Sequence, residues 1–585
     1  GEDRLVHGRV RRFVQMGRSE ELTSYRAEIV PWSWFLSLTR DCRIFQEMTV
    51  LQIAEEVFES QGFSDYDIRC TRNYPEREFC VQYRETHLDF VSRLLEEEGI
   101  FYFFEHETSG HTLVLTDDNS AVEPCPGLPE ARMSTPRVPE EDVVTDLVRE
   151  HGVHAGEITL TDYDYLQPSL SLESSISGEG EGEVYDYHPG RYTSREEGER
   201  HARLLMELRE AGRHLARGES SCRAFRSGFR FELTGHFDSA ANQPWILVEL
   251  HHTGRAGDYR SWESASLDYE NEFVAIPHEV PYRPPRKTPA PVVEGTQTAV
   301  VVGKSGEEIW TDEHGRIKVQ FHWDREGKRD EDSSCWVRVA TPWAGKGWGQ
   351  LHVPRIGQEV VVDFLEGDPD RPLVVGSVYN ANYPPPYDTS GAGSTKSGMK
   401  SRSSKGGGGH NEISIDDASG EEQIVVHAQK DMSGTIKNDE TWSVGHDRTI
   451  SVDNVLEETA QKEVRVESAT SSVEIEAATE IKLTVGQSSL TMSQDGTIEL
   501  SGVDVTVKGE GVGVTVEGTP LVKLDGVSVA SEADVDNRME GAIVSVEAKA
   551  TSTLKGNMVN VQGSTLTAQS SGPATVKGSP LLLNM

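Results

Sequence analysis

Short apolar pairs set the rhythm of the last third of the chain. Val464 and Val466, Val473 and Ile475, Ile481 and Leu483, Leu490 and Met492, Ile498 and Leu500, Val505 and Val507, Val514 and Val516, and Val522 and Leu524 each stand two apart, with polar residues between and around them. That spacing puts both members on one face of a strand. The pairs return about every eight residues, and Gly486, Gly496, Gly502, Gly509, Gly518, Gly526 and Gly563 fall between them, where a chain turns a corner. Eight residues reach about 26 Å, one side of a triangular prism, whereas a coil closing round its own core needs about twenty or more residues. Three chains, each giving one side of every coil, close it with about twenty-four. The pattern predicts an intertwined trimeric β-helix, or β-prism, over 411–585. The alternative is an antiparallel meander or sandwich within one chain.

Upstream, residues 1–290 mix strands and helices in an α/β region. Strands are predicted at 5–14, 25–38, 79–83, 100–104, 111–115 and 245–252. Thr49 precedes Val50, Leu51, Ile53, Ala54, Val57 and Phe58 at helical spacing, with Gly62 beyond the end. Thr86 and Asp89 resemble a capping box ahead of Leu88, Val91, Leu94 and Leu95, and Gly99 stops that helix. Ser194 and Glu197 repeat the signature before Ala202, Leu204, Leu205, Leu208 and Ala211, with Gly218 after. The polar, glycine-rich stretch 171–184 reads as a surface loop, and the prolines from Pro277 to Pro291 as a semi-rigid connector. Over 291–387, five short strands at 298–302, 317–322, 335–339, 359–364 and 373–378 suit a small oligonucleotide/oligosaccharide-binding (OB) barrel. Residues 388–410 read as a Gly/Ser linker, and the stalk starts at Asn411. The fold class is mainly β.

Charge removes one class of partner. The formal net charge of −40 repels phosphate backbones, so nucleic acid is not an expected partner. Trp323, Trp336, Trp343 and Trp348 could stack bases, but without a basic groove they read as core and subunit contacts. No apolar run is long enough for a membrane span and no signal-peptide pattern opens the chain, which leads us to expect synthesis in the cytosol. Cys42, Cys70, Cys80, Cys125, Cys222 and Cys335, with no C-x-x-C, suit reduced, buried thiols better than a disulfide framework or a metal site.

Catalytic patterns are weak throughout. Gly303-Lys304-Ser305 ends like a phosphate-binding loop, but Thr298 stands where that motif needs glycine. His251 and His252 are adjacent on a predicted strand and face opposite ways, and neither H-E-x-x-H nor G-x-S-x-G occurs. No catalytic residue, metal or cofactor is expected.

The barrel region also carries a specific resemblance. Asp312-Glu313-His314-Gly315-Arg316-Ile317-Lys318-Val319-Gln320-Phe321-His322-Trp323, Trp336-Val337-Arg338-Val339, Trp343-Ala344-Gly345-Lys346-Gly347-Trp348-Gly349, and Pro354-Arg355-Ile356-Gly357-Gln358-Glu359-Val360 leading to Asp363-Phe364-Leu365-Glu366-Gly367-Asp368-Pro369 resemble the core signature of the valine-glycine repeat protein G (VgrG) family. Asp41-Cys42-Arg43-Ile44-Phe45-Gln46 and the stretch 94–104 resemble its hub region. The resemblance implies a tail-hub-like region over 1–290, with a further segment ahead of it in family members, then the barrel and a trimeric needle. It implies a type VI secretion spike, assembled in the cytoplasm, then secreted or injected through target envelopes. Implied partners are an Hcp-like tube protein, the baseplate, effectors with their adaptors, and a PAAR-repeat protein at the tip. Ser579, Pro580, Leu581, Leu582, Leu583, Asn584 and Met585 of three copies would form the apolar platform that seats the PAAR protein. The alternatives are a baseplate spike of a phage or other contractile system, and a single-chain β-helix enzyme acting on carbohydrate.

Overall fold

The computed structural model describes residues 4–19, 22–134, 141–187, 191–255, 268–511, 515, 551, 553, 555–556, 558–565 and 567–578. The chain forms two compact units, Gly1–Asp439 and Glu440–Met585.

The first unit opens with an antiparallel hairpin, Arg9–Ser19 with Leu22–Val30. The strand predicted to run on to Leu38 stops at Pro31, and Trp32–Leu38 forms a 3-10 helix instead. Proline fixes φ and offers no N–H, while the Pro31 carbonyl accepts from Trp34 N at 3.1 Å, so the chain coils and buries Trp32 and Leu36. Helix α1, Val50–Ser60, carries a capping box: Thr49 Oγ1 accepts from Gln52 N at 3.3 Å, and the Gln52 side chain accepts from Thr49 N at 2.8 Å. Helix α2, His87–Glu98, is capped by Thr86 and ends at Gly99 with φ 68°. A side chain there would be strained and would press on Arg283 and Leu204. Both helices close over Phe45, Ile100 and Leu115.

A six-stranded sheet follows, in the order Glu130–Arg132, Arg230–Thr234, Pro244–Arg255, Asp268–Pro277, His214–Ser220, Val144–His151. Phe225, Phe231, Trp245 and Phe273 fill its core. Helix α3, Arg195–Arg213, is capped by Ser194 as expected, but Gly218 lies in the next strand rather than at the helix end. A Cβ at Gly218 would collide with the buried Phe273 ring, so glycine serves sheet packing there. The stretch read as a surface loop supplies two strands, Ser174–Ser177 and Glu183–Tyr187, on either side of Glu157–Thr161. Their backbones complete that sheet while Leu172 and Ser174 are buried, a gain that side-chain polarity does not reveal.

A single aspartate ties down the loop entering this region. The buried Asp117 carboxylate accepts from Thr71 N at 2.7 Å, Arg72 N at 2.9 Å, Arg72 Nε at 2.9 Å and Tyr74 Oη at 2.8 Å. Burial opposes its charge, but the Thr71 N–H, the Tyr74 hydroxyl and the Arg72 groups outweigh it and hold the carboxyl down to about 2. The stability this adds is full above the unfolded value of about 3.9 and disappears as pH falls through about 2. Asp117→Asn is therefore expected to cost on the order of 2 kcal/mol at neutral pH and little below pH 2, read as the unfolding midpoint of each protein across pH.

Five strands make the barrel sheet in the order Lys318–Phe321, Gln297–Val302, Glu359–Phe364, Pro372–Val378, Arg338–Val339. The strand expected from Cys335 shortens because Ser334 Oγ turns in to accept from Val319 N at 3.0 Å. Phe79, Val81 and Tyr83 join Val301, Val319, Phe321 and Val360 in the barrel core, so the Cys80–Thr86 strand pins barrel to hub. Beneath it Arg93, 5% exposed, grips Glu85 through Nε at 2.9 Å and Nη2 at 2.8 Å and donates to Val81 O at 2.9 Å. The Asp370 carboxylate accepts from Val81 N at 2.6 Å.

Among the described residues of the second unit, three strands, Glu480–Val485, Ser488–Ser493 and Ile498–Ser501, form an antiparallel meander. Gly486 and Gly496 hold its turns at φ 56° and 86°, the corner role their spacing predicted. Pairing between sequence neighbours is the least costly hydrogen bonding open to one chain. Ahead of the meander, Val464, Val466, Val473 and Ile475 lie outside any strand and are more than half exposed.

Candidate assembly interface

The segment read as a flexible linker contains a strand. Lys396–Lys400 pairs with Glu412–Asp416, which pairs in turn with Gln423–His427. The pairing runs on toward the glycines, with Ser401 N donating to Asn411 O at 2.8 Å and Ser403 N to Gly409 O at 2.9 Å.

This sheet is inside out for a lone chain. Ile413 lies opposite Met399 and Val426, and Ile415 opposite Ile424, so the five share one face. They are 49%, 55%, 56%, 42% and 72% exposed, respectively. The other face holds the buried residues: Ser414 and Glu412, whose carboxylate meets Lys396 Nζ at 3.3 Å, His410 Nε2 at 3.3 Å and Lys400 Nζ at 3.7 Å. An open apolar face beside a covered charged one is the arrangement of a surface awaiting a partner. Apolar residues of the second unit's strands, Leu483, Ile498 and Leu500, are likewise exposed, without a covered charged face behind them.

Sequence reasoning missed Met399 as a member of this face. Its neighbours are glycine and lysines, and only register against Ile413 reveals it. The predicted tip residues Ser579, Pro580, Leu581, Leu582, Leu583, Asn584 and Met585 lie outside the described residues.

Other candidate chemistry resolves into structure. His252 receives a hydrogen bond network with Tyr269 Oη at 2.7 Å and is kept neutral by burial, while His251 is on the opposite face of the strand. A cavity of about 360 Å³ between hub and barrel is lined by charges already paired: Glu97 with Arg77 at 3.0 Å and Arg191 at 3.3 Å, and Glu98 with Arg200. Among the described residues no group of three His, Cys, Asp or Glu side chains could hold a metal ion. The six cysteines are free, and burial pushes the thiols of Cys80 and Cys222 up to about 12, leaving them unreactive. Trp323 stacks on Phe321 with ring centres 5.0 Å apart and donates to Gln297 Oε1 at 2.9 Å, and Lys318 covers Trp336. Trp343 and Trp348 face solvent.

Three known family models match in order along the chain. They are the phage tail baseplate hub over residues 1–258, the type VI secretion system/phage-baseplate injector OB domain over 299–379, and the bacteriophage T4 gp5 C-terminal trimerisation domain over 397–506. The last spans the inside-out sheet and the described stalk strands. Hub, barrel and trimerisation domain in one chain define the hub-and-spike class of contractile injection proteins.

Similar proteins narrow that class. The chain is 41% identical to the type VI secretion system spike protein VgrG1a of Pseudomonas aeruginosa over 542 residues, 86% of this chain and 82% of the relative. It is 44% identical to VgrG1b of the same organism over 470 residues, 77% of this chain and 62% of that one, so it spans less than two thirds of that relative's length. It is also 37% identical to the actin cross-linking toxin VgrG1 of Vibrio cholerae over 77% of this chain and 41% of the toxin. The chain belongs to the VgrG family of type VI secretion system spike proteins.

Proposed function

We propose that the protein is the non-enzymatic spike of a type VI secretion system, acting as a homotrimer at the front of a secreted tube that punctures target envelopes and carries effectors. The observation that carries the reading is the exposed face of Met399, Ile413, Ile415, Ile424 and Val426 within the matched trimerisation domain. Three such faces, closed on each other, bury apolar surface and give every strand edge a partner, as a load-bearing prism requires. No helix among the described residues is long and apolar enough to cross a membrane. On this reading the spike crosses an envelope as a rigid body, assembled in the cytoplasm and then delivered outward. The partners on this reading are a tube protein of the Hcp kind and the baseplate behind the hub, effectors with their adaptors, and a PAAR-repeat protein on the platform at 579–585.

Light scattering of the full chain tests it. The expected mass is three times 64.7 kDa, unchanged on dilution. A stable monomer would overturn the proposal.

A further inference from the structure

The barrel carries a second surface whose order is not explained within one chain. Ala344–Gly345 and Trp348–Gly349 form a two-stranded hairpin, with Gly347 at φ 76° in its turn. A Cβ at Gly345 would collide with the Trp348 ring, and one at Gly349 with the Trp343 carbonyl, so these glycines let the indole lie across the hairpin. Gln350 N and Thr341 Oγ1 donate to that carbonyl at 2.9 and 3.0 Å. The two indoles meet edge to face at 5.1 Å, yet Trp343 is 61% exposed, Trp348 58% and Leu351 72%. Large apolar side chains held in fixed positions and left in water are pre-organised for contact.

Beside them opens a groove of about 560 Å³ bounded by Tyr165, Arg316, Arg338, Trp343, Trp348 and Leu351. Arg338 lies 4.3 Å from the centre of the Tyr165 ring, and Tyr165 Oη accepts from Arg316. Arg316 is paired with Asp312, but among the described residues neither Arg338 nor Lys346 forms an ion pair. Two cations with no acidic partner among the described residues, beside exposed indoles, call for an acidic surface, and every further copy of this chain, at −40, is strongly acidic. The hairpin is also tied to the trimerisation sheet. Its exit strand leads to Arg355, whose Nη1 meets Glu308 Oε1 at 3.4 Å, and Glu308 Oε2 accepts from Ser404 Oγ and Gly406 N just ahead of the Glu412–Asp416 strand.

We propose that this hairpin is an intersubunit clasp: Trp343 and Trp348 of one protomer, with Arg338 and Lys346 beside them, seat on an acidic surface of a second copy of the same chain. The clasp rests on the trimeric reading above. It adds a contact at the barrel, where the stalk's own pairing does not reach. It also gives Trp343 and Trp348 the subunit-contact role expected of them from the sequence.

The test is photo-crosslinking of the full chain with benzoylphenylalanine in place of Trp348, and separately of Trp343, alongside light scattering of each variant. Trimers that give covalent dimer and trimer bands, with a yield unchanged on dilution and attachment mapped to another copy, support the clasp. Trimers that crosslink only within one chain, or not at all, overturn the clasp and leave the spike reading standing. A monomeric wild-type chain overturns both. As a second measurement, Arg338→Glu with Lys346→Glu is expected to lower the crosslinked fraction at least about tenfold in a protein that remains trimeric, because like charges now meet across the contact.

Discussion

Ile415→Lys abolishes the trimer. Ile415 stands opposite Ile424 on the face that the assembly closes, and the substitution places three ammonium groups in one layer of the prism. Each loses its water, the strand residues on that face, Ser397, Met399, Ile413, Ile424 and Val426, offer it no acid, and the three repel one another. A buried unpaired charge costs several kcal/mol, so the layer loses on the order of 10 kcal/mol. In a single chain the same residue is 42% exposed and the lysine sits there at little cost, so the first unit should still fold. The expected result is a species of 64.7 kDa, or aggregate, by light scattering, beside an Ile415→Val protein that remains trimeric. A lysine variant with the wild-type mass would show that this face is not interior.

Glu85→Ala unfolds the joint between hub and barrel at far lower denaturant than wild type. It strands Arg93, which lies under the Cys80–Thr86 strand and has Glu85 as its ion-pair partner. The guanidinium keeps its bond to the Val81 carbonyl but loses its hydrogen-bonded ion-pair partner, and breaking such a buried pair costs about 3–5 kcal/mol. Replacing both partners together, as in Glu85→Leu with Arg93→Met, leaves no charge behind and should recover most of the loss. Urea unfolding followed by tryptophan fluorescence, to which Trp323 contributes from its place 5.9 Å from Tyr83, reads the loss of the joint as a lower midpoint. A Glu85→Ala midpoint within error of wild type would refute the assignment.

Local rules of capping and alternation made much of the hub legible in the sequence. Thr49, Thr86 and Ser194 cap the helices they were expected to cap, because the signals lie within four residues of each other. The barrel strands 359–364 and 298–302 also fall within a residue of expectation, since their valine-rich runs sit on an enclosed core that leaves little freedom of register. What stayed hidden depends on distant neighbours. Ser174–Ser177 and Lys396–Lys400 are strands only because a partner strand distant in sequence lies beside each, and Gly218 is fixed by Phe273, far along the chain. The Trp343–Trp348 hairpin was visible as a motif, but the exposure that gives it meaning belongs to three dimensions.

The inside-out sheet has a consequence in time. The hub and barrel close their own cores with residues no later than Val374, whereas the face at 399–426 and the exposed apolar pairs among the described stalk residues stay open in a single chain. Ribosomes add roughly 5–20 residues per second, so the 175 residues from 411 to 585 take about 9–35 s to follow. Each chain therefore spends tens of seconds as a finished head trailing an unfinished, adhesive tail. Chains made on neighbouring ribosomes of one message hold such tails side by side, and that crowding favours the threefold encounter over capture by a stranger.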